Sequence, residues 1–162
     1  MARTRGGGTP ATVALTRAGV PFTPRPYDHD PRAESYGAEA AAALGVSPER
    51  VLKTLMASVD GALVVAVVPV AGHLDLKALA RALGGRSAAM ADPAAAARAT
   101  GYVLGGISPI GQRRPHPTVI DDAALGHATV LVSGGRRGFD IELSPADLVR
   151  VTGAATAPIA RP

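Results

Sequence analysis

The chain contains no cysteine and no tryptophan, only two phenylalanines and three tyrosines, and just two lysines among its 17 basic residues. Each shortage excludes something. Without cysteine there is no disulfide, no thiol nucleophile and no thiolate metal site, a composition that suits a reducing compartment. Aromatics at 3% speak against a platform that stacks successive nucleic-acid bases, and they leave the core to Val, Leu, Ile and Ala. No apolar run is long and unbroken enough to span a bilayer. The segment Met1 to Gly8 carries charge but has no apolar stretch behind it, so it reads as a flexible arm and not as a signal peptide. The expectation is a soluble cytoplasmic protein with no membrane contact: an arm over residues 1–8 and a single domain over residues 9–162. What is present fits that expectation. The chain has 162 residues, 47% of them hydrophobic, enough for one sizeable core. Its net charge of +4 permits a polyanionic partner.

Punctuation residues divide the chain into short strands and short Ala-rich helices. Thr9-Pro10 reads as an N-cap followed by proline at the first helical position, with Gly19 as the stop. Residues 21–27 read as extended. Tyr36 to Leu44 reads as a helix closed by Gly45. Two apolar runs, residues 51–59 and 62–68, flank Asp60-Gly61, a strong hairpin signal. Asp75 and Asp92-Pro93 open two further helices, ending near Leu83 and Ala99. Residues 118–120, 129–132 and 139–143 read as strands, and Ser144-Pro145-Ala146-Asp147 caps a last helix. Strands mixed irregularly with helices, with at least one hairpin, predict an α+β fold.

Lys53 stands out within that pattern. It lies in the run Val51-Leu52-Lys53-Thr54-Leu55, and alternation places it on one strand face with Val51, Leu55 and Ala57. A lysine on such a face either snorkels to solvent or marks a site. Two glycine-rich stretches offer further chemistry. Residues 101–111 form a long loop whose backbone amides a ligand can approach. Residues 132–140 bring Ser133, Gly134, Arg136, Arg137 and Asp140 together, a set able to hold an oxyanion, unless Asp140 simply pairs with Arg137. The four histidines, His29, His73, His116 and His127, show no metal-ligand spacing. Tyr27-Asp28-His29-Asp30 reads either as a metal or base site or as a turn. No serine-histidine-aspartate grouping is evident. No cofactor and no metal are expected.

The segments Val51 to Leu55, Pro69 to Lys77, Ala91-Asp92-Pro93, Thr100 to Gln112 and Val132 to Leu143, with Tyr27 to Pro31, resemble the YbaK/EbsC family in the correct order, from about Thr9 to Arg161. They are most similar to its YbaK branch, free-standing cysteinyl-tRNA(Pro) deacylases. The resemblance implies a mixed, curved, barrel-like β-sheet surrounded by short helices, related to the editing domain of bacterial prolyl-tRNA synthetase. It implies hydrolysis of the ester that joins a wrong amino acid to the 3′-terminal adenosine of tRNA, with tRNA and prolyl-tRNA synthetase as partners. A synthetase pocket discriminates poorly between near-isosteres, which is why a second site is needed.

Family roles carry over onto matching positions. Lys53 matches the essential lysine, whose ammonium would hold the terminal phosphate or backbone of the tRNA end, and Thr54 follows it. Gly105, Gly106, Ile107, Ser108 and Pro109 match the loop whose amides face the substrate carbonyl. Ser133, Gly134 and Asp140 match the polar end of the pocket, and Tyr27 matches a pocket tyrosine. Tyr36 stands where relatives carry phenylalanine. In the YbaK branch the cysteine thiol of the substrate attacks its own ester carbonyl. Two alternatives follow from the residues: a deacylase for another mischarged tRNA, such as alanyl-tRNA(Pro), that activates water, or a non-catalytic module binding tRNA or a synthetase.

Overall fold

A computed structural model describes residues 8–162. The expected N-terminal arm lies outside the described residues except for Gly8, which is exposed.

Helix starts follow the capping chemistry. In α1 (Pro10–Arg17) the Thr9 hydroxyl accepts from the Thr12 amide at 3.2 Å, while the Thr12 hydroxyl accepts from the Thr9 amide at 3.1 Å. This reciprocal pair satisfies two orphan donors. Ser35 caps α2 (Tyr36–Leu44), which ends on Gly45 at φ +65°, the left-handed conformation in which glycine carries no Cβ penalty. Asp75 caps α3 (Leu76–Ala82), Asp92 caps α4 (Pro93–Thr100) and Ser144 caps α5 (Pro145–Thr152).

The strands are β1 (Thr23–Pro26), β2 (Leu52–Val59), β3 (Ala62–Pro69), β4 (His73–Leu74), β5 (Ala88–Met90), β6 (Thr118–Asp121), β7 (Val130–Arg136), β8 (Phe139–Leu143), β9 (Ala155–Ala157) and β10 (Ala160–Arg161). A five-stranded sheet runs in the order β5-β2-β3-β6-β9, and a three-stranded sheet in the order β1-β8-β7. The β2–β3 hairpin turns at Asp60 (φ +50°) and Gly61 (φ +87°), both left-handed as a tight two-residue turn requires. A parallel bridge, Val51 to Leu131, links the two larger sheets. The strands curve around the core without closing into a barrel.

Central strand β3 is buried on both faces. Val65 and Val67 enter the main core with Leu15, Ile110, Phe139, Ile141 and Leu148, whereas Val64, Ala66 and Val68 pack on Leu79, Val119 and Ile159. Such two-sided burial explains the continuous apolar run in the sequence. The buried Asp121 carboxylate ties the C-terminal segment down, accepting from the Ile159 and Ala160 amides, each at 2.9 Å. No helix among the described residues is long and apolar enough to cross a membrane.

The four short strands β4, β5, β9 and β10 carry no sequence signal. One expectation needs correction: the stretch over residues 132–140 is not an open loop. Strand β7 continues to Arg136 through a bulge between Ser133 and Arg136, and only Arg137-Gly138 forms the turn. A bulge absorbs the extra residue and re-aims the side chains around it.

Candidate active site

The site begins at a gap in the five-stranded sheet. Along its outer edge, β2 is covered at one end by the Val51–Leu131 bridge and at the other by β5, which pairs only with Ala57 to Val59. The Met56 carbonyl accepts from the Ala91 amide on this edge at 3.1 Å. Alternation along an antiparallel strand turns the Thr54 amide and carbonyl to the same edge, within the gap. A cavity of about 380 Å³ occupies it, a size suited to a small ligand. Its wall comes from β2 (Leu52 to Met56), from α2 (Tyr36, Gly37, Ala40), from the start of α4 (Pro93, Ala96), from Met90 and Ala91, from Leu104, Gly105 and Ile107, and from Tyr27, Val51, Ser133 and Asp140.

Lys53 lies on β2 opposite Val68, half-buried, with no ion pair or hydrogen bond among the described residues. Burial lowers its ammonium below the ordinary lysine value. Beside it, the Thr54 hydroxyl is buried with no hydrogen-bond partner. An orphaned buried hydroxyl is costly, and this one lines the cavity.

Ser133, Asp140 and Arg25 form a cross-strand row over β7, β8 and β1, so their side chains share one face. The alternative in which Asp140 pairs with Arg137 is not realised. Arg137 instead donates to the Leu104 carbonyl at 2.8 Å and lies 5.3 Å from the centre of the Tyr36 ring. Arg25 binds Glu142, which also receives Arg50 at 2.9 Å and the Thr129 hydroxyl. Those bonds hold the Glu142 carboxyl below its ordinary value. Asp140 is only 6% exposed, and burial pushes its carboxyl up to about 7, with Arg25 acting in the opposite direction. The Tyr27 phenol is raised to about 12, first by burial and then by the Asp140 and Glu39 carboxylates.

The glycine-rich loop is braced from within. The Tyr102 hydroxyl donates to the Ile110 carbonyl at 2.6 Å, and the Ser108 hydroxyl accepts from the Ile110 amide at 3.2 Å. Gly105 sits under the Tyr36 ring, where a Cβ would come within 2.7 Å of ring carbon Cζ.

Of the residues singled out in the sequence, Lys53, Tyr27, Tyr36, Thr54, Gly105, Ile107, Ser133 and Asp140 line the cavity together. Gly106, Ser108, Pro109 and Gly134 do not. The Gly106 amide is committed to the Val103 carbonyl at 2.9 Å, and a Cβ there would meet the Arg136 backbone. Ser108 is fully buried, and Pro109 faces another side of the molecule. Gly134 lies under the Phe139 ring, which a Cβ would approach to 2.4 Å. Gly106 and Gly134 thus permit close packing of neighbouring chain and ring without lining the cavity. Sequence reasoning missed Met56, Met90, Ala91, Pro93, Ala96 and Leu104, apolar residues no different in type from core. His29 Nδ1 lies 2.8 Å from Glu39 Oε1, and among the described residues no three His, Asp or Glu side chains are placed to hold a metal.

Fold and site together define an α+β domain with one largely apolar cleft, carrying an unpaired ammonium, an orphaned hydroxyl and a carboxyl near neutrality. Comparison with known proteins gives the class its name. The model of the aminoacyl-tRNA editing domain matches residues 30–151. A protein of Enterococcus faecalis named as a candidate Cys-tRNA(Pro)/Cys-tRNA(Cys) deacylase, EbsC, is 38% identical over 121 residues, covering 74% of this chain and 73% of its own. A solved structure of a candidate trans-editing enzyme for prolyl tRNA synthetase superposes with a TM-score of 0.80 at 25% identity, covering 94% of this chain and 96% of that one. A hypothetical protein of known structure also gives 0.80, at 28% identity and 91% and 96% coverage. The chain belongs to the aminoacyl-tRNA editing family, in its YbaK/EbsC branch, a family of aminoacyl-tRNA deacylases.

Proposed function

We propose that the chain is a trans-editing deacylase for cysteinyl-tRNA(Pro), and that the substrate supplies its own nucleophile. The observation that carries this reading is the composition of the cavity: Lys53 without a partner, and no histidine, cysteine or activated serine in the wall. Ser133 Oγ accepts from the Gly135 amide at 3.2 Å and, among the described residues, makes no hydrogen bond to its cross-strand neighbour Asp140.

In this reading the aminoacyl group enters the gap beside β2. Lys53 holds the phosphate of the 3′-terminal nucleotide as a point charge. The α-ammonium of the amino acid faces Asp140, whose carboxyl lacks an ion pair, and this cation draws its pKa back down. The Thr54 hydroxyl and open backbone edge receive the remaining polar atoms of the substrate. The amides of Gly105 and Ile107 stabilise the developing oxyanion. The thiol sulfur bonds to the ester carbonyl carbon, the ester C–O bond breaks, and the thiol proton goes to the leaving ribose oxygen. Water then opens the released cyclic thioester. The cavity contributes by holding thiol and carbonyl in a reactive orientation.

One observation favours a second reading. A carboxyl with a pKa near 7 is suited to general-base work, so Asp140 can activate water for a substrate without a thiol. Hydrolysis of cysteinyl-, S-methylcysteinyl- and alanyl-tRNA(Pro), by wild type and Asp140→Asn, separates the two. Thiol-assisted editing predicts turnover of the cysteinyl substrate alone, with residual turnover in the variant. Equal rates on all three substrates, abolished by Asp140→Asn, would establish the water mechanism instead. A partnership with prolyl-tRNA synthetase supplies tRNA selectivity by raising effective concentration.

A further inference from the structure

We infer that the depression between α3 and β5 is a second RNA contact, which takes backbone phosphates of the tRNA acceptor end while the aminoacyl group occupies the cavity beside β2. This rests on the reading that an aminoacyl-tRNA is the substrate. The depression, of about 510 Å³, is rimmed by Lys77, Arg81 and Arg86. All three are exposed, and none forms an ion pair among the described residues. Lys77 and Arg81 stand four apart on α3 and therefore share a face, an arrangement of like charges that mildly destabilises a helix. Arg81 lies in the last turn of α3, where the helix dipole favours a cation, but neither side chain gains a carboxylate partner among the described residues. The nearby carboxylate of Asp60 is occupied, accepting from the backbone amides of Arg86 and Ser87 at 3.0–3.2 Å.

Placement joins this patch to the cavity. Strand β5 is the outer strand of its sheet. Its first residue, Ala88, lines the depression, and its last, Met90, lines the cavity. From Arg86 to Met90 an extended chain runs about 13 Å, within reach of the single-stranded end of a tRNA leaving the cavity. Met90 itself is 52% exposed, so the path along β5 is open. Three cations outside any ion pair, set against the single carboxylate of Asp60, leave a net positive end to that path that suits a phosphate backbone.

The test compares Lys77→Gln/Arg81→Gln/Arg86→Gln with a control of equal charge change, Arg17→Gln/Arg114→Gln/Arg161→Gln, built from exposed cations elsewhere. On cysteinyl-tRNA(Pro) the first variant is expected to raise KM about tenfold with kcat unchanged, and its log–log salt slope for tRNA binding to fall by about 2, as loss of three phosphate contacts to a single strand requires. Hydrolysis of 3′-cysteinyl-adenosine, which lacks the further phosphates, is expected to stay at the wild-type rate, and the control to match wild type on both substrates. Unchanged KM and slope in the first variant, or an equal change in both variants, would overturn the inference. If wild type hydrolyses neither substrate, it is the editing reading that fails. Anisotropy titration with fluorescein-labelled uncharged tRNA(Pro) then decides the contact by the same comparison of slopes.

Discussion

Asp140 stands in register with Arg25, yet the arginine turns to Glu142. Asp140 is left without an ion pair, and burial lifts its carboxyl to about 7 against the opposing pull of the Arg25 charge. The folded-state pKa exceeds the unfolded value, so the folded protein holds this proton more tightly. Stability from it is full below the unfolded value near 4 and is lost as pH rises through about 7. At alkaline pH the penalty reaches on the order of 4 kcal/mol. Asp140→Asn, which carries no charge at any pH, is therefore expected to gain in melting temperature over wild type as pH goes from 5 to 8. A gap that stays constant, or narrows, would contradict this account of Asp140. Lys53 was readable in the sequence because a lysine is out of place in an apolar run, and Ser133 and Asp140 because they stand in a glycine-rich stretch with the polar groups of an oxyanion site. The orphaned hydroxyl of Thr54 was not, because its isolation depends on which strand edge is left uncovered.

At the scale of elements, sequence and structure agree wherever a cap or a turn carries the signal. Helix α2 starts at Tyr36 after Ser35 and ends at Leu44 before Gly45 as expected, and the hairpin turns on Asp60-Gly61. They part where pairing depends on distant chain. Strand β5 is Ala-Ala-Met, without β propensity, and exists because β2 offers it an edge. Yet its shortness is what opens the gap for the cavity. The glycine-rich loop shows the same dependence: its glycines suggested amides open to a ligand, whereas nothing in the sequence suggested that Tyr102 bolts its ends together through the Ile110 carbonyl. Burial raises the Tyr102 phenol further, so it donates as a neutral hydroxyl throughout the physiological range. Tyr102→Phe leaves that buried carbonyl unsatisfied, at a cost of about 1–3 kcal/mol. In calorimetry the melting temperature should drop by roughly 2–12 °C, with faster amide exchange across residues 101–111. An unchanged melting temperature would show that the loop is held by something else.

Over the whole molecule, two curved sheets meet at the Val51–Leu131 bridge, and the chain places its chemistry where they part. The β2 side contributes Lys53 and Thr54, and the β7–β8 side contributes Ser133 and Asp140. Helix α2 and the loop after α4 close the remaining walls mostly with apolar atoms, so the cavity presents few polar groups. Family, fold class and the polar half of the site could be read from one sequence. The apolar half could not, because its residues differ from core only by facing a cavity. The central claim is that Lys53 holds the substrate and takes no part in proton transfer. Single-turnover hydrolysis of cysteinyl-tRNA(Pro) by wild type, Lys53→Ala and Lys53→Arg tests it most directly. Loss of one charge-assisted contact predicts a fall in kcat/KM of roughly 10- to 100-fold for Lys53→Ala, with partial recovery in Lys53→Arg and the same pH profile in all three. Full activity in Lys53→Ala, or a displaced pH profile, would contradict the account.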